Sequence, residues 1–320
     1  MNPLCTSRSH CSLFGLALRL IAPAALCMIM ALLPGQAQAH SVRDDTGRVI
    51  EVNQPFTRII SLYAAHTENL FQLGLDDAII GVTDREDFPS TALEKPAFTA
   101  RDTAERFLNA GPDLVLIRPE QRAAHAALWA DLERQGVIVA AMEPSTVPEM
   151  YDYWRRLGIL TGREVQAEEM VGQFKDGLFM ARQRVDSIDP AQRPGVFFES
   201  IHRRISTFSP NSMPIFVMET AGGRNVAADA ASRPGTTIAD YGLERMLAKS
   251  SEIDVYLTRY GEMNPVNVKD ITTSPAASHI KAVRDRNVFL VDERLVSLPT
   301  MRLLRGIDAI HTLLHPTMWN

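Results

Sequence analysis

The sequence predicts an α/β chain of two lobes with parallel-type sheets joined by a long helix, on three observations. Short apolar strands alternate with helix-like runs in both halves. A mostly helical stretch separates the halves. One local pattern, a Glu-Arg-apolar-Leu helix feeding an Asp-led strand, occurs once in each half.

In the first half a short β-like segment, Val42 to Val52, precedes a compact strand at Arg58–Leu62. A helical run from His66 to Leu73 ends at Gly74. Strands follow at Ala78–Val82, Asp113–Ile117 and Val137–Ala140, with helices near Asp102–Asn109 and Gln121–Gln135 between them. Strand, helix and strand in this order argue for parallel βαβ units. Pro148–Leu160 and Arg163–Ser187 read as two helices separated by Gly162. The second places Met170, Val171, Phe174, Leu178, Ala181 and Val185 on one face, and at 1.5 Å per residue it would run about 37 Å as a strut. The strand pattern restarts after Pro194, at Gly195–Phe198, Ile253–Leu257 and Val288–Val291. Helices are expected at Met213–Ala221, Gly242–Ala248 and Met301–Leu314. The organisation expected is a leader at 1–39, an N-terminal α/β lobe at 40–145, a helical connector at 146–190 and a C-terminal α/β lobe at 191–320.

The leader reads as a cleavable signal peptide. Arg8 and Arg19 precede an apolar run to Leu33, and Ala37-Gln38-Ala39 has the small-x-small form of a cleavage site. Cys5, Cys11 and Cys27 all fall within it, so the exported chain would hold neither disulfide nor cysteine metal ligand. The whole chain carries a net charge of −5, and removing a leader with no acidic residue makes the remainder more acidic. That argues against nucleic acid as a partner, because phosphate binding calls for a basic face.

The repeated pattern is Ala104-Glu105-Arg106-Phe107-Leu108 before Asp113-Leu114-Val115, and Leu243-Glu244-Arg245-Met246-Leu247 before Asp254-Val255-Tyr256. Matching order in two α/β halves suggests a duplicated lobe with a cleft between the copies. With Arg58-Ile-Ile-Ser-Leu, His66-Thr-Glu-Asn-Leu-Phe-Gln-Leu-Gly74, Ile80-Gly-Val-Thr-Asp and Gly111-Pro-Asp-Leu-Val-Leu, the chain resembles the Fe/B12 periplasmic-binding family, the helical-backbone class. The resemblance runs from about Val42 to Pro316 and is stronger before Pro194. It implies two Rossmann-like lobes on a backbone helix and little closure on ligand binding. It also implies delivery of cargo in the periplasm to an ABC permease with ATPase subunits. Glu105 and Glu244 match the surface glutamates that meet arginine pockets of that permease. Exposed opposite charges steer such docking. The competing reading of Glu105 is a capping box with Asp102.

Ligand contacts are expected from loops at the carboxyl ends of strands. Those loops hold Arg85, Arg101, Arg203, Arg204, Arg259 and Arg294, with Tyr63 and His66 beside the first strand. Guanidinium forks match anionic oxygens, so the set suits an anionic ferric siderophore. Each alone could equally be a solvated surface arginine. Tyr63, Phe88, Phe208 and Tyr260 are candidate aromatic walls. Arg85 and Arg101 fall near places where vitamin B12 binders carry aromatic residues, which sets the siderophore before a corrinoid. No tyrosine stands just before Glu105, where haem-binding relatives place one. The histidines are scattered apart from His311 and His315, so no bare-metal site is expected. No Gly-x-Ser-x-Gly or His-Glu-x-x-His motif occurs, so no catalytic residue is expected and a chelatase is the enzymatic rival. The expected protein is a monomer without a resident cofactor.

Overall fold

A computed structural model of the protein describes residues 40–316. The expected signal segment and Trp319 lie outside these residues. A short antiparallel hairpin, β1 (His40–Arg43) and β2 (Val49–Val52), opens the described chain. It is followed by β3 (Ile59–Ser61), α1 (Ala64–Gln72), β4 (Ile79–Thr83), β5 (Ala97–Phe98), α2 (Ala104–Ala110) and β6 (Leu114–Ile117). Then come α3 (Pro119–Ala124), α4 (Ala126–Arg134) and β7 (Ile138–Ala141). The five strands pair in parallel in the order β5-β4-β3-β6-β7. The central strands β3 and β6 are buried along their whole length, as the unbroken apolar runs require.

The connector is α5 (Val147–Thr161) and α6 (Glu164–Asp186). Thr146 and Glu149 form a capping box at the start of α5, and Gly162 ends it at a φ of 64°. A side chain there would be strained and would also press on Pro55, 2.7 Å from its Cβ position. All six predicted stripe residues of α6 are buried. The helix has 23 residues, about 34 Å. It packs against α5 and against the C-terminal helices α7 (Met213–Thr220) and α12 (Arg302–Leu314).

The C-terminal lobe contains β8 (Gly195–Ile201), β9 (Ser206–Phe208), β10 (Arg224–Asn225), β11 (Ala231–Ser232) and β12 (Ile238–Asp240). After α8 (Leu243–Ala248) come β13 (Val255–Tyr260), α9 (Val268–Thr272), α10 (Lys281–Arg284), β14 (Val288–Asp292) and α11 (Glu293–Val296). The sheet order is β11-β12-β9-β8-β13-β14, with β10 beside the start of β8. Strands β8, β13 and β14 are parallel, but β9, β11 and β12 pair antiparallel. This second sheet is therefore mixed, whereas the sequence reading expected a parallel-type sheet. The antiparallel strands are two or three residues long and too short to show a periodicity. The helix expected at Gln121–Gln135 is also two helices, broken at His125.

One apolar cluster runs from Val42 and Ile59 through Trp154, Phe174 and Leu178 to Phe198, Ile307 and Leu314. It reaches both sheets through the connector, so the lobes share a core at their base. Polar contacts cross the same seam. Asn69 Nδ2 and Trp154 Nε1 both donate to the Pro299 carbonyl, at 3.0 and 3.2 Å. Glu68 on α1 pairs with Arg302 on α12 (Arg302 Nε to Glu68 Oε2 2.7 Å), both under a tenth exposed. Burial raises the Glu68 pKa more than Arg302 lowers it. The pair's desolvation thus offsets its attraction, while losing one member strands a buried charge. Glu68→Ala is expected to lower unfolding stability by about 3–5 kcal/mol, and a Glu68→Met/Arg302→Met double variant to recover most of it. Urea denaturation of the three proteins checks this.

Candidate functional site

A cleft of about 1010 Å³ lies between the lobes. Its walls come from residues that follow the carboxyl ends of the strands: Tyr63 after β3, Arg85 after β4, Arg118 after β6, Glu143 after β7, Glu262 after β13 and Arg294 after β14. Parallel strands that start at one edge end together at the other, so residues distant in sequence converge there. The size is at the upper end for a small-molecule site.

Of the predicted ligand contacts, Tyr63, Arg85, Arg101, Arg259 and Arg294 line this cleft. Arg203 and Arg204 do not. Strand β8 continues to Ile201, and a 3-10 turn at His202–Arg204 reverses the chain into β9, leaving both arginines exposed on the hairpin connection. His66 is also not in the wall. It is fully buried, with Nδ1 2.7 Å from Tyr153 Oη and Nε2 3.2 Å from the Ile117 carbonyl. A carbonyl only accepts, so Nε2 carries the proton and Nδ1 accepts from the tyrosine. Both nitrogens are thus used inside the lobe. The imidazole edge packs on Tyr63 with ring centroids 5.1 Å apart, so His66 backs the wall without forming it. Among the aromatic candidates Tyr260 lines the cleft and Phe208 is buried beneath Arg259. Phe88 lies outside the lining, under Arg302 at 4.8 Å.

Most of the cleft's arginines already have counter-charges. Arg85 pairs with Glu262 of the opposite lobe. Arg294 grips Asp292 through Nε and Nη2, at 2.8 and 2.6 Å, and reaches Asp87 across the cleft. Arg118, which the sequence reading missed, lies 5.1 Å from the Tyr63 ring centre and pairs with Glu120 at 2.7 Å and Glu143 at 3.5 Å. Burial, with Glu120 beside it, pushes the Glu143 carboxyl up to about 7. Arg118 directly follows the buried strand β6, a position that could have flagged it in the sequence. Two arginines differ from these. Arg101 is exposed on the wall and its side chain forms no ion pair among the described residues. Arg259 is only 6% exposed, its nearest carboxylate is Glu293 at 4.0 Å, and Nε and Nη2 make no hydrogen bond within the protein. Its guanidinium lies 5.3 Å from the Phe208 ring centre, and burial lowers its pKa.

Glu105 and Glu244 stand exposed in the first turns of α2 and α8. The capping box of Asp102 with Glu105 is not formed. Thr103 caps α2 by accepting from Arg106 N, while Asp102 accepts from Thr99 N and Arg106. Among the described residues no group of three or more His, Cys, Asp or Glu side chains could hold a metal ion. None of their helices is long and apolar enough to cross a membrane.

Two α/β lobes joined at the base, with a ligand-sized cleft at their strand ends, have the build of a two-lobe binding protein. The chain belongs to the periplasmic binding protein family, which residues 59–295 match. It is 24% identical over 280 residues to an uncharacterized ABC transporter substrate-binding lipoprotein of Bacillus subtilis, covering 86% of this chain and 85% of that protein. It is 23% identical over 258 residues to the vitamin B12-binding protein of Vibrio parahaemolyticus, covering 80% of this chain and 88% of that one. A solved structure of a possible iron-binding (periplasmic solute-binding) protein from Staphylococcus epidermidis superposes with a TM-score of 0.71 at 25% identity, covering 82% of this chain and all of that one.

Burial sets the sign of a pH effect at His66, lowering its pKa from 6.5 to about 3. The unfolded chain takes up a proton at this residue near pH 6.5 and the folded chain only near 3. The neutral ring's contribution is full above pH 6.5 and is lost as pH falls toward 3, at about 1.4 kcal/mol per pH unit. Read by urea denaturation between pH 6.5 and 4, the stability difference between the parent and His66→Phe is expected to shrink with that slope as pH falls, because buried carboxylates such as Glu143 contribute the opposite slope to both proteins and cancel in the difference.

Proposed function

We propose that this chain is the substrate-binding component of an ABC importer. In this reading it is exported by a cleaved leader at 1–39, acts as a monomer in the periplasm, and carries a metal chelate to a permease with ATPase subunits. Residues 40–145 and 191–320 serve as its lobes and 146–190 as its connector. Membership of the family, and the likeness to an ABC transporter substrate-binding lipoprotein of Bacillus subtilis, support the importer part.

The cargo proposed is an anionic ferric siderophore, with Tyr63, Arg85, Arg101, Arg259 and Arg294 as its contacts. The observation behind this choice is Arg259, a buried guanidinium in the cleft wall with hydrogen-bonding capacity unused. A buried donor without a partner is costly, and turning the guanidinium toward an anionic oxygen of a ligand would relieve that cost. Arg101 adds an exposed cation on the wall. Arg85 and Arg294 join only if the ligand takes the place of Glu262 and Asp87. That same internal pairing, with the likeness to the vitamin B12-binding protein of Vibrio parahaemolyticus, favours a second reading, a corrinoid of little net charge. A chelatase activity has no counterpart in the family's role and would appear as turnover.

Isothermal calorimetry with ferric siderophores, cyanocobalamin, haem and free metals tests the cargo. Saturable binding of a ferric chelate is expected. Arg259→Met should weaken it about 10- to 100-fold, the size of a lost charge-assisted hydrogen bond, and leave any cyanocobalamin binding little changed. Saturation by cyanocobalamin alone would replace the siderophore with the corrinoid, and metal insertion into a tetrapyrrole would replace the carrier with an enzyme.

We assign permease docking to Glu105 and Glu244, one exposed carboxylate on each lobe. The Glu105→Lys/Glu244→Lys protein is expected to keep its calorimetric affinity while cellular uptake falls to background. A lost affinity would remove both residues from that role.

A further inference from the structure

Outside the cleft wall, the C-terminal lobe buries one carboxylate completely. Glu199, on β8, has no exposed surface. Tyr256 Oη donates to Oε1 at 2.8 Å and Thr258 Oγ1 donates to Oε2 at 2.9 Å. His202 Nδ1 lies 3.1 and 3.2 Å from the two oxygens. The histidine side chain is 28% exposed, so protons from solvent reach it.

A second set of bonds ties this cluster to the cleft. Asn264 Oδ1 accepts from the His202 backbone N at 3.0 Å. Its Nδ2 donates to the Arg259 carbonyl at 2.7 Å and comes within 3.4 Å of Thr258 Oγ1. The segment between Thr258 and Asn264 carries Arg259, Tyr260 and Glu262, all in the cleft wall. Glu199 therefore holds the start of that segment through Thr258, and the His202 turn holds its end through Asn264. The turn itself closes on Ile205, a β-branched residue at a φ of 47°. Such a conformation is strained for a β-branched residue and persists only where the surroundings impose it.

We propose that Glu199 and His202 form a proton-sensitive clamp that positions Arg259 and Glu262 for the ligand. A buried carboxylate is best compensated by a positive partner. Protonated His202 supplies that charge, and neutral His202 leaves only the hydrogen bonds of Tyr256, Thr258 and its own Nδ1. The other charged groups near His202 are Asp270 in the first turn of α9, which also favours its proton, and Arg203 and Arg204 on its own turn. Tyr256 on β13 stays protonated far above this range. The hydrogen bond that His202 donates to Glu199 raises the His202 pKa above 6.5. The charged clamp is thus complete below pH 6.5 and is lost as pH rises through the raised value. Ligand affinity should fall over the same interval. By linkage the change, about three- to tenfold, equals the factor by which ligand binding strengthens the hold of His202 on its proton.

The inference rests on the cleft being the binding site, so its first test needs no ligand. NMR of the histidine-labelled, ligand-free protein between pH 5.5 and 8.5 follows the His202 ring and the amides of Tyr260, Glu262 and Asn264. The ring is expected to titrate above 6.5 and the three amides to move with the same midpoint. In Glu199→Gln the ring should return to about 6.5. In His202→Gln, at a half-exposed site that tolerates the change if Glu199→Gln does not fold, the amide transition should disappear. Amides that ignore the His202 titration, or keep a transition without His202, would overturn the clamp. In a second arm, calorimetric affinity for ferric dicitrate or cyanocobalamin should fall with the same midpoint in the parent and stay flat in His202→Gln. A pH dependence that survives in His202→Gln would also overturn the clamp. If neither probe binds, the cargo is decided by the wider siderophore panel and the amides alone judge the clamp.

Discussion

The Pro299 carbonyl accepts from Asn69 on α1 and from Trp154 on α5. Around this point one apolar core passes from the first sheet through α5 and α6 to the second. The cleft depends on that join. Two sheets packed only on their own helices would leave the space between them undefined. A shared base fixes the distance between the strand ends above it. Buried hydrogen bonds at the seam have definite geometry, and the apolar packing around them resists shear. At the rim the lobes meet through the ion pairs Arg85–Glu262 and Arg294–Asp87. Exposed pairs are weak and screened by salt, so a rim built this way can yield to a ligand while the base holds.

The charge pattern of the cleft follows from the same geometry. Strand ends from two lobes bring arginines and carboxylates close, and most neutralise one another before a ligand arrives. What remains is selective. Arg259, held over Phe208 with its carbonyl fixed by Asn264, sits where water has limited access, so an anionic oxygen reaching it would gain more than at an exposed arginine. Arg118 is the opposite case. Its charge is shared between Glu120 and Glu143 and shielded on one side by Tyr63, which makes it part of the wall's own balance.

The two candidate docking glutamates owe their exposure to local structure. Each lies in the first turn of a short helix, where a carboxylate interacts favourably with the free backbone N–H groups. Thr103 takes the capping role on α2, so Glu105 is left facing solvent. His66 shows the reverse. Its place near a helix start suggested a ligand contact, but Tyr153 and the Ile117 carbonyl engage both nitrogens.

The amino-acid sequence by itself determined the α/β architecture, the break at Gly162, the buried stripe of α6 and the place of Arg85, Arg259 and Arg294 just at or after strand ends. These depend on local period, backbone freedom and chain order, which a sequence carries directly. Only the tertiary structure decided which arginines are spent. Arg85 meets Glu262 and Arg294 meets Asp87 across long stretches of chain, and no spacing rule encodes such pairs. It also decided the antiparallel edge of the second sheet, whose strands are too short to carry a pattern. The same holds for Arg203 and Arg204, placed outside the cleft by β8 continuing to Ile201 and turning back into β9. Pairing across a fold is set by where the backbone brings each side chain, and that position exists only once both lobes are built on their common core.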